Sequence, residues 1–171
     1  MLPEADLLAA LPRLRRYARV LTGDLHRADD LVQDTLARAW QKQHLWQAGS
    51  NLRAWLFTLM HNIHANQWMQ RHRDAMHISI DDESVPSDWQ IPVRAMQFER
   101  VELIELFQRV AALPLEQRTV LMLAAVEELQ YAEIAQVLAI PIGTVMSRLN
   151  RAREKLRRLS DDGALSLRII K

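Results

Sequence analysis

The densest group of residues able to do chemistry lies near the end of the chain. Between Ile142 and Arg158 stand the cations Arg148, Arg151, Arg153, Lys155, Arg157 and Arg158, against the single acid Glu154. A basic helix of this kind suits a polyanion. The residues before it narrow the reading to DNA. In the segment YAEIAQVLAIPIGTVMSRLNRAREKL, residues 131–156, Ala135 is small enough for a close helix crossing. Ala139-Ile140-Pro141 suits a tight turn, and Val145 can plug the angle from the second helix. Those are the steric needs of a helix-turn-helix. Pro141 falls just before or at the first helical position, where a missing N–H costs nothing. Ile134, Leu138, Leu149 and Leu156 complete the apolar faces. Residues near the start of such a helix reach base edges, and later cations reach phosphates. Thr144 opens that helix, Met146, Ser147 and Asn150 are expected on the groove floor, and Arg148, Arg151, Arg153 and Lys155 mainly on the backbone. Asn can pair in bidentate fashion with adenine, whereas Met offers only apolar contact.

A second polar constellation lies upstream. Asp30 and Asp34 are neighbours four residues apart on a helix, with Gln33 beside them. Taken alone, the trio is either a solvated face or an acidic and amide patch for a basic partner. His61 and His64 share a helical spacing that metals use, but no cysteine and no nearby carboxylate accompany them, so a polar face is the expected reading and no metal is assigned. Glu127, Glu128 and Glu133 read as surface acids. There is no Gly-rich phosphate loop and no nucleophile elbow, so no catalytic residue, enzyme activity or cofactor is expected.

The elements that must position these groups are helical. The 171 residues hold four glycines and six prolines, and Ala, Leu, Arg, Gln and Glu dominate. Leu7, Leu8, Leu11, Leu14, Ala18 and Leu21 mark a first helix, stopped by Gly23. Asp24 is placed to cap a second, near Leu25 to Gln43, with Leu31, Val32, Thr35, Leu36, Ala39 and Trp40 on its inner side. After Gly49, with Ser50 or Asn51 as cap, a long third helix carries Leu52, Trp55, Leu56, Leu59, Met60, Ile63 and Trp68. Trp55 is expected in the core, while Trp68 is left between packing and stacking. The helical period then fades through DDESVPSDWQIP, residues 81–92, an acidic linker holding an unexplained Trp89. Helices resume near Met96, with Phe98, Val101, Leu103, Ile104, Phe107 and Val110 on one face, then Leu115 to Val126, Tyr131 to Leu138 and Ile142 to Leu159. The fold class is therefore all-α, two small helical domains joined by a flexible linker: residues 1–74, linker 75–95, residues 96–160 and a tail 161–171. The net charge of +1 conceals the basic helix and the acidic connector. No cysteine, secretory signal or apolar run of membrane length is present, so a cytoplasmic soluble protein is expected.

The segment 131–156 closely resembles region 4.2 of the extracytoplasmic-function sigma factors of bacterial RNA polymerase, in its aromatic, its EIA, its Pro–x–GT–V–x–SR and its RAR. ADDLVQDTLARAW, residues 28–40, is similar to region 2.2, and NLRAWLFTLMHNIHANQWMQRHR, residues 51–73, to regions 2.3 and 2.4. The resemblance implies two domains that bind core RNA polymerase, read the minus-35 element with the C-terminal one, and melt the minus-10 element with the other. By position, Asp30, Gln33 and Asp34 meet the polymerase clamp helices. Asn62, where the base-reading loop is expected to follow the third helix, is by the same resemblance the candidate for capturing an unstacked base, the alternatives being a helix cap or an interior polar residue. Asn66, Trp68, Arg71 and Arg73 meet the melted strand and its phosphates. An anti-sigma partner is implied as well. Three departures bear on promoter choice: Met146 where Arg or Lys is frequent, Asn150 where an aromatic is, and Asn66 where Asp is. The alternatives are a sigma-like decoy that titrates an anti-sigma protein, for which the basic helix would be useless, and a stand-alone helix-turn-helix regulator, which leaves the first domain unexplained.

Overall fold

The computed structural model describes residues 2–75 and 109–161. Trp89, the acidic linker, the face from Phe98 to Phe107 and the tail beyond 161 lie outside the described residues. Contacts divide the chain into two compact units. The first is built on α1 (Glu4–Thr22), α2 (Leu25–Gln41) and α3 (Leu52–Ala75). The second is built on α4 (Leu115–Ala125) and α6 (Ile142–Asp161), with α5 (Tyr131–Leu138) between them in the chain. Every described regular element is a helix, as expected.

In the first unit each helix packs on the other two. Gly23 ends α1 in the left-handed region, φ 67°, and its N–H donates to Arg19 O. A residue without Cβ meets no steric penalty there. The chain turns at once into α2, where Asp24 Oδ1 accepts the Arg27 N–H at 2.8 Å. That bond holds the Asp24 carboxyl below its usual range. Asn51, rather than Ser50, caps α3 by accepting the Ala54 N–H at 3.3 Å. The core gathers Leu14, Tyr17, Leu31, Leu56, Phe57 and Met60, with the Tyr17 and Phe57 rings edge to face at 5.0 Å.

Four expectations for the first unit fail in informative ways. Trp40 is turned outward and is 60% exposed. The inward stripe of α2 is Ala28, Leu31, Val32, Thr35 and Ala39, and the next residue is rotated about 100° from it. α2 itself ends at Gln41, and Gln43–Leu45 form a 3-10 turn instead of a last α-helical turn. His64 does not lie on a polar face but is buried, because it continues the four-residue stripe of Leu52, Leu56 and Met60 along α3. Burial, then the charges of His61, Arg71 and Arg27, push its imidazole down to about 4. Trp55 is only half-buried.

In the second unit α4 packs on α6. Arg118 is buried, and its Nη2 donates to Ala111 O at 2.9 Å and Leu113 O at 3.0 Å. A guanidinium thus satisfies carbonyls at the end of the preceding helical turn. Glu127, expected on the surface, is fully buried. The turn after α4 curls back, with the N–H groups of Glu127 and Leu129 donating to Met122 O and Leu123 O, which draws the side chain inward.

Candidate nucleic-acid interfaces

The helix-turn-helix forms at the expected residues. Glu133 Oε2 accepts the Gln130 N–H at 2.8 Å and caps α5. Ala139 takes φ 52° in the turn, and the Ile140 N–H closes onto Ala135 O at 3.0 Å. Pro141 immediately precedes α6 and accepts the N–H groups of Thr144 and Val145. Ile134, Leu138, Val145, Leu149, Ala152 and Leu156 are all buried. Ala135 is half-buried.

This buried stripe fixes what α6 presents to solvent. Gly143, Met146, Asn150 and Arg151 are exposed, Met146 by 50%. Thr144 and Ser147 are half-buried, and Ser147 Oγ donates to Thr144 O at 3.1 Å. A serine hydroxyl so engaged can still accept from a base, but must change partner before it donates to one.

The cations separate into two sets. Arg148 Nη2 lies 2.8 Å from Glu116 Oε2 on α4, and Lys155 Nζ donates to Ala112 O at 3.1 Å. Arg158 pairs with Glu154. Arg153 is half-buried, whereas Arg151 and Arg157 are exposed without an ion pair among the described residues. Half of the basic face therefore also braces its own unit, a split that counting charges along the sequence did not reveal.

On the first unit, Asn62, Asn66 and Arg73 are exposed and recur on one face of α3, with Met69 between them. No loop follows Asn62. α3 runs unbroken from Leu52 to Ala75, since it contains no Gly or Pro to interrupt it. The loop that adjoins this helix comes before it, at residues 46–51. Trp68 is 50% exposed but stands on a different side of α3 from Asn62 and Asn66.

Arg71 also leaves that face. It lines a groove of about 550 Å³ with Thr22, Arg27, Asp30, Gln33, Asp34, Gln67 and Gln70. Within it Gln67 Nε2 donates to Asp34 Oδ2 at 2.9 Å, and Arg71 Nε donates to Gln67 O at 3.1 Å. Asp30, Gln33 and Asp34 are exposed together along α2. The structure thus brings the acidic trio against the end of α3. Gln67 was absent from the sequence reading, and only its position three residues after His64, on the side facing α2, could have flagged it. Among the described residues no cluster of metal-ligating side chains occurs.

A helix-turn-helix with a solvent-facing reading helix, and a separate three-helix unit with polar faces, define a two-part nucleic-acid-binding protein. Residues 7–61 match the model described as the Sigma2 domain of PhyR, and residues 103–156 match that of sigma-70 region 4. The sequence is 37% identical over 151 residues to the ECF RNA polymerase sigma factor EcfG of Rhodopseudomonas palustris, covering 88% of this chain and 81% of that one. It is 32% identical over 160 residues to the ECF sigma factor SigL of Mycobacterium tuberculosis, covering 90% and 89%. Among solved structures it is similar to the sigma factor RpoE in complex with the anti-sigma factor NepR from Bartonella quintana. The TM-score there is 0.77 at 33% identity, over 94% of this chain and 97% of that one. The chain belongs to the extracytoplasmic-function sigma factors. It is an alternative sigma factor, which binds core RNA polymerase and directs initiation at its own promoters.

Proposed function

We propose that promoter recognition is divided between the two units as follows. In the C-terminal unit Met146 and Asn150 read base edges of the minus-35 element. Thr144 and Ser147 lie at the groove floor, and Arg151 and Arg153 meet phosphates, joined by Arg148 and Lys155 when DNA competes for them. In the N-terminal unit Asn62, Asn66 and Arg73 hold the melted minus-10 strand, with Trp68 and Arg71 at its margin. Asp30, Gln33 and Asp34 bind the polymerase clamp. The observation that carries this reading is the shape of α6, whose buried stripe of Val145, Leu149, Ala152 and Leu156 leaves Met146, Asn150 and Arg151 in solvent. That arrangement is the one a major groove requires.

An anti-sigma factor of the NepR kind restrains the protein in this proposal, supported by the likeness to RpoE in complex with NepR. The protein acts in the cytoplasm by binding alone, without an enzymatic step. Among the described residues no single helix is long and apolar enough to cross a membrane.

Run-off transcription with purified core polymerase tests the reading. A promoter-dependent transcript that Asp34→Ala and Asn62→Ala diminish is expected. Core binding without promoter-dependent transcript would refute the division of roles.

A further inference from the structure

Of all the exposed apolar side chains, Trp40 has the surroundings that say most. It was expected inside, and the structure turns it out, 60% exposed. Packing does not demand an indole there, because Ala39 already fills the inward position at that level of α2. A single exposed apolar residue is ordinary on a protein surface, so the residues that surround Trp40 carry the argument.

Its position along the helix is informative. Asp30, Gln33, Asp34, Ala37, Trp40 and Gln41 recur at intervals of three and four residues, and all are exposed. Trp40 follows Gln33 by seven residues, two turns further along the same face. Between them stands Ala37, whose small side chain lets a partner helix approach the α2 backbone closely. The stripe therefore joins carboxylates and amides at one end to a large apolar ring at the other. Interfaces concentrate binding energy in such rings, especially Trp, when polar groups rim them.

We propose that Trp40 is the apolar anchor of the face by which α2 binds core RNA polymerase. The inference rests on the polymerase-binding reading of Asp30, Gln33 and Asp34, with which Trp40 is continuous. The matching surface on the polymerase is basic, with an apolar residue or an Arg side chain placed to pack on the indole. An arginine there stacks its planar head on the ring, while separate cations meet the carboxylates.

The experiment measures affinity of the full chain for core polymerase, with unfolding temperature and helicity recorded for each variant. Trp40→Ala is expected to weaken core binding by at least about tenfold, with little change in unfolding temperature, while Trp40→Phe recovers most of the loss. Asp34→Ala serves as the check on the underlying reading. If Asp34→Ala loses affinity and Trp40→Ala stays within about twofold of the parent, the anchor is refuted and the acidic face survives. If neither loses affinity, the face itself is wrong, and the anchor with it. Loss of self-association or of anti-sigma binding with core affinity intact likewise overturns the proposal. So does a collapse in unfolding temperature that Trp40→Gln shares and Trp40→Phe does not repair, which would make the ring structural.

Discussion

Gln67 on α3 donates to Asp34 on α2 across 2.9 Å, and the same residue's carbonyl accepts Arg71 Nε. The proposed polymerase-binding acids and the C-terminal end of the proposed minus-10 helix therefore meet in one groove, lined by residues from both helices. Both partners of the bond are exposed or half-exposed, so water competes for it.

Removing the amide should accordingly cost little in stability. Gln67→Ala is expected to change the unfolding free energy by less than about 1 kcal/mol. It leaves the Asp34 carboxylate free, so core affinity should hold or rise slightly, in contrast to the loss expected for Asp34→Ala. Chemical denaturation together with core-binding titrations separates the two effects. A large drop in core affinity for Gln67→Ala would show that the bond orients Asp34.

Base readers and phosphate binders should differ in kind. Met146→Ala and Asn150→Ala are expected to change the order of preference among minus-35 sequences, with about 1–3 kcal/mol of discrimination at the contacted base pair for Asn150. Arg153→Ala should weaken all DNA alike. Binding measured over a panel of single-base promoter variants decides this. Equal losses for all three substitutions across the panel would contradict it.

Arg148 and Arg151 differ by one ion pair. Arg151 is exposed, while Arg148 lies against Glu116 at 2.8 Å. Arg151→Ala should reduce the slope of log affinity against log salt by about one, the counterion release of one phosphate contact. The change for Arg148→Ala should be smaller, since part of its charge is already matched. Glu116→Ala should then strengthen DNA binding modestly at low salt by freeing Arg148.

His64 makes stability depend on pH. Its imidazole is pushed from an ordinary value near 6.5 to about 4 in the folded state, chiefly by burial. Between those values the unfolded chain binds a proton that the folded chain does not, so stability rises with pH through that window. Acidification from pH 7 toward 4 should remove up to about 3 kcal/mol by this route. Unfolding temperatures at several pH values should fall in this window for the parent and fall less steeply for His64→Leu. Parallel profiles would remove His64 as the cause.

The helix-turn-helix frame of the candidate site was legible because its signals are local. The helix-turn-helix shows in the sequence through Ala135, Pro141 and Val145, each of which answers a short-range steric need. Gly23 and Asp24 punctuate α1 and α2 for the same reason. The partners of the cations were not legible: neither the ion pair of Arg148 with Glu116 nor the hydrogen bond of Lys155 to the Ala112 carbonyl can be inferred from residues 32 or 43 positions apart in the chain.

By itself the sequence determined an all-helical chain, the place of its reading helix and the order of its two family motifs. These follow from helical periodicity, capping and turn chemistry, which act over a few residues. Tertiary structure alone decided which side of each helix faces inward where the apolar stripe is broad. It turned Trp40 out and His64 and Glu127 in, and it set Arg71 beside Asp34 instead of Asn62. The physical reason is that a rotation of about 100° per residue makes neighbours in sequence strangers in space. Only the packing partner selects between them. Met146 and Asn150 stayed outside because Val145 and Leu149 had a core to enter.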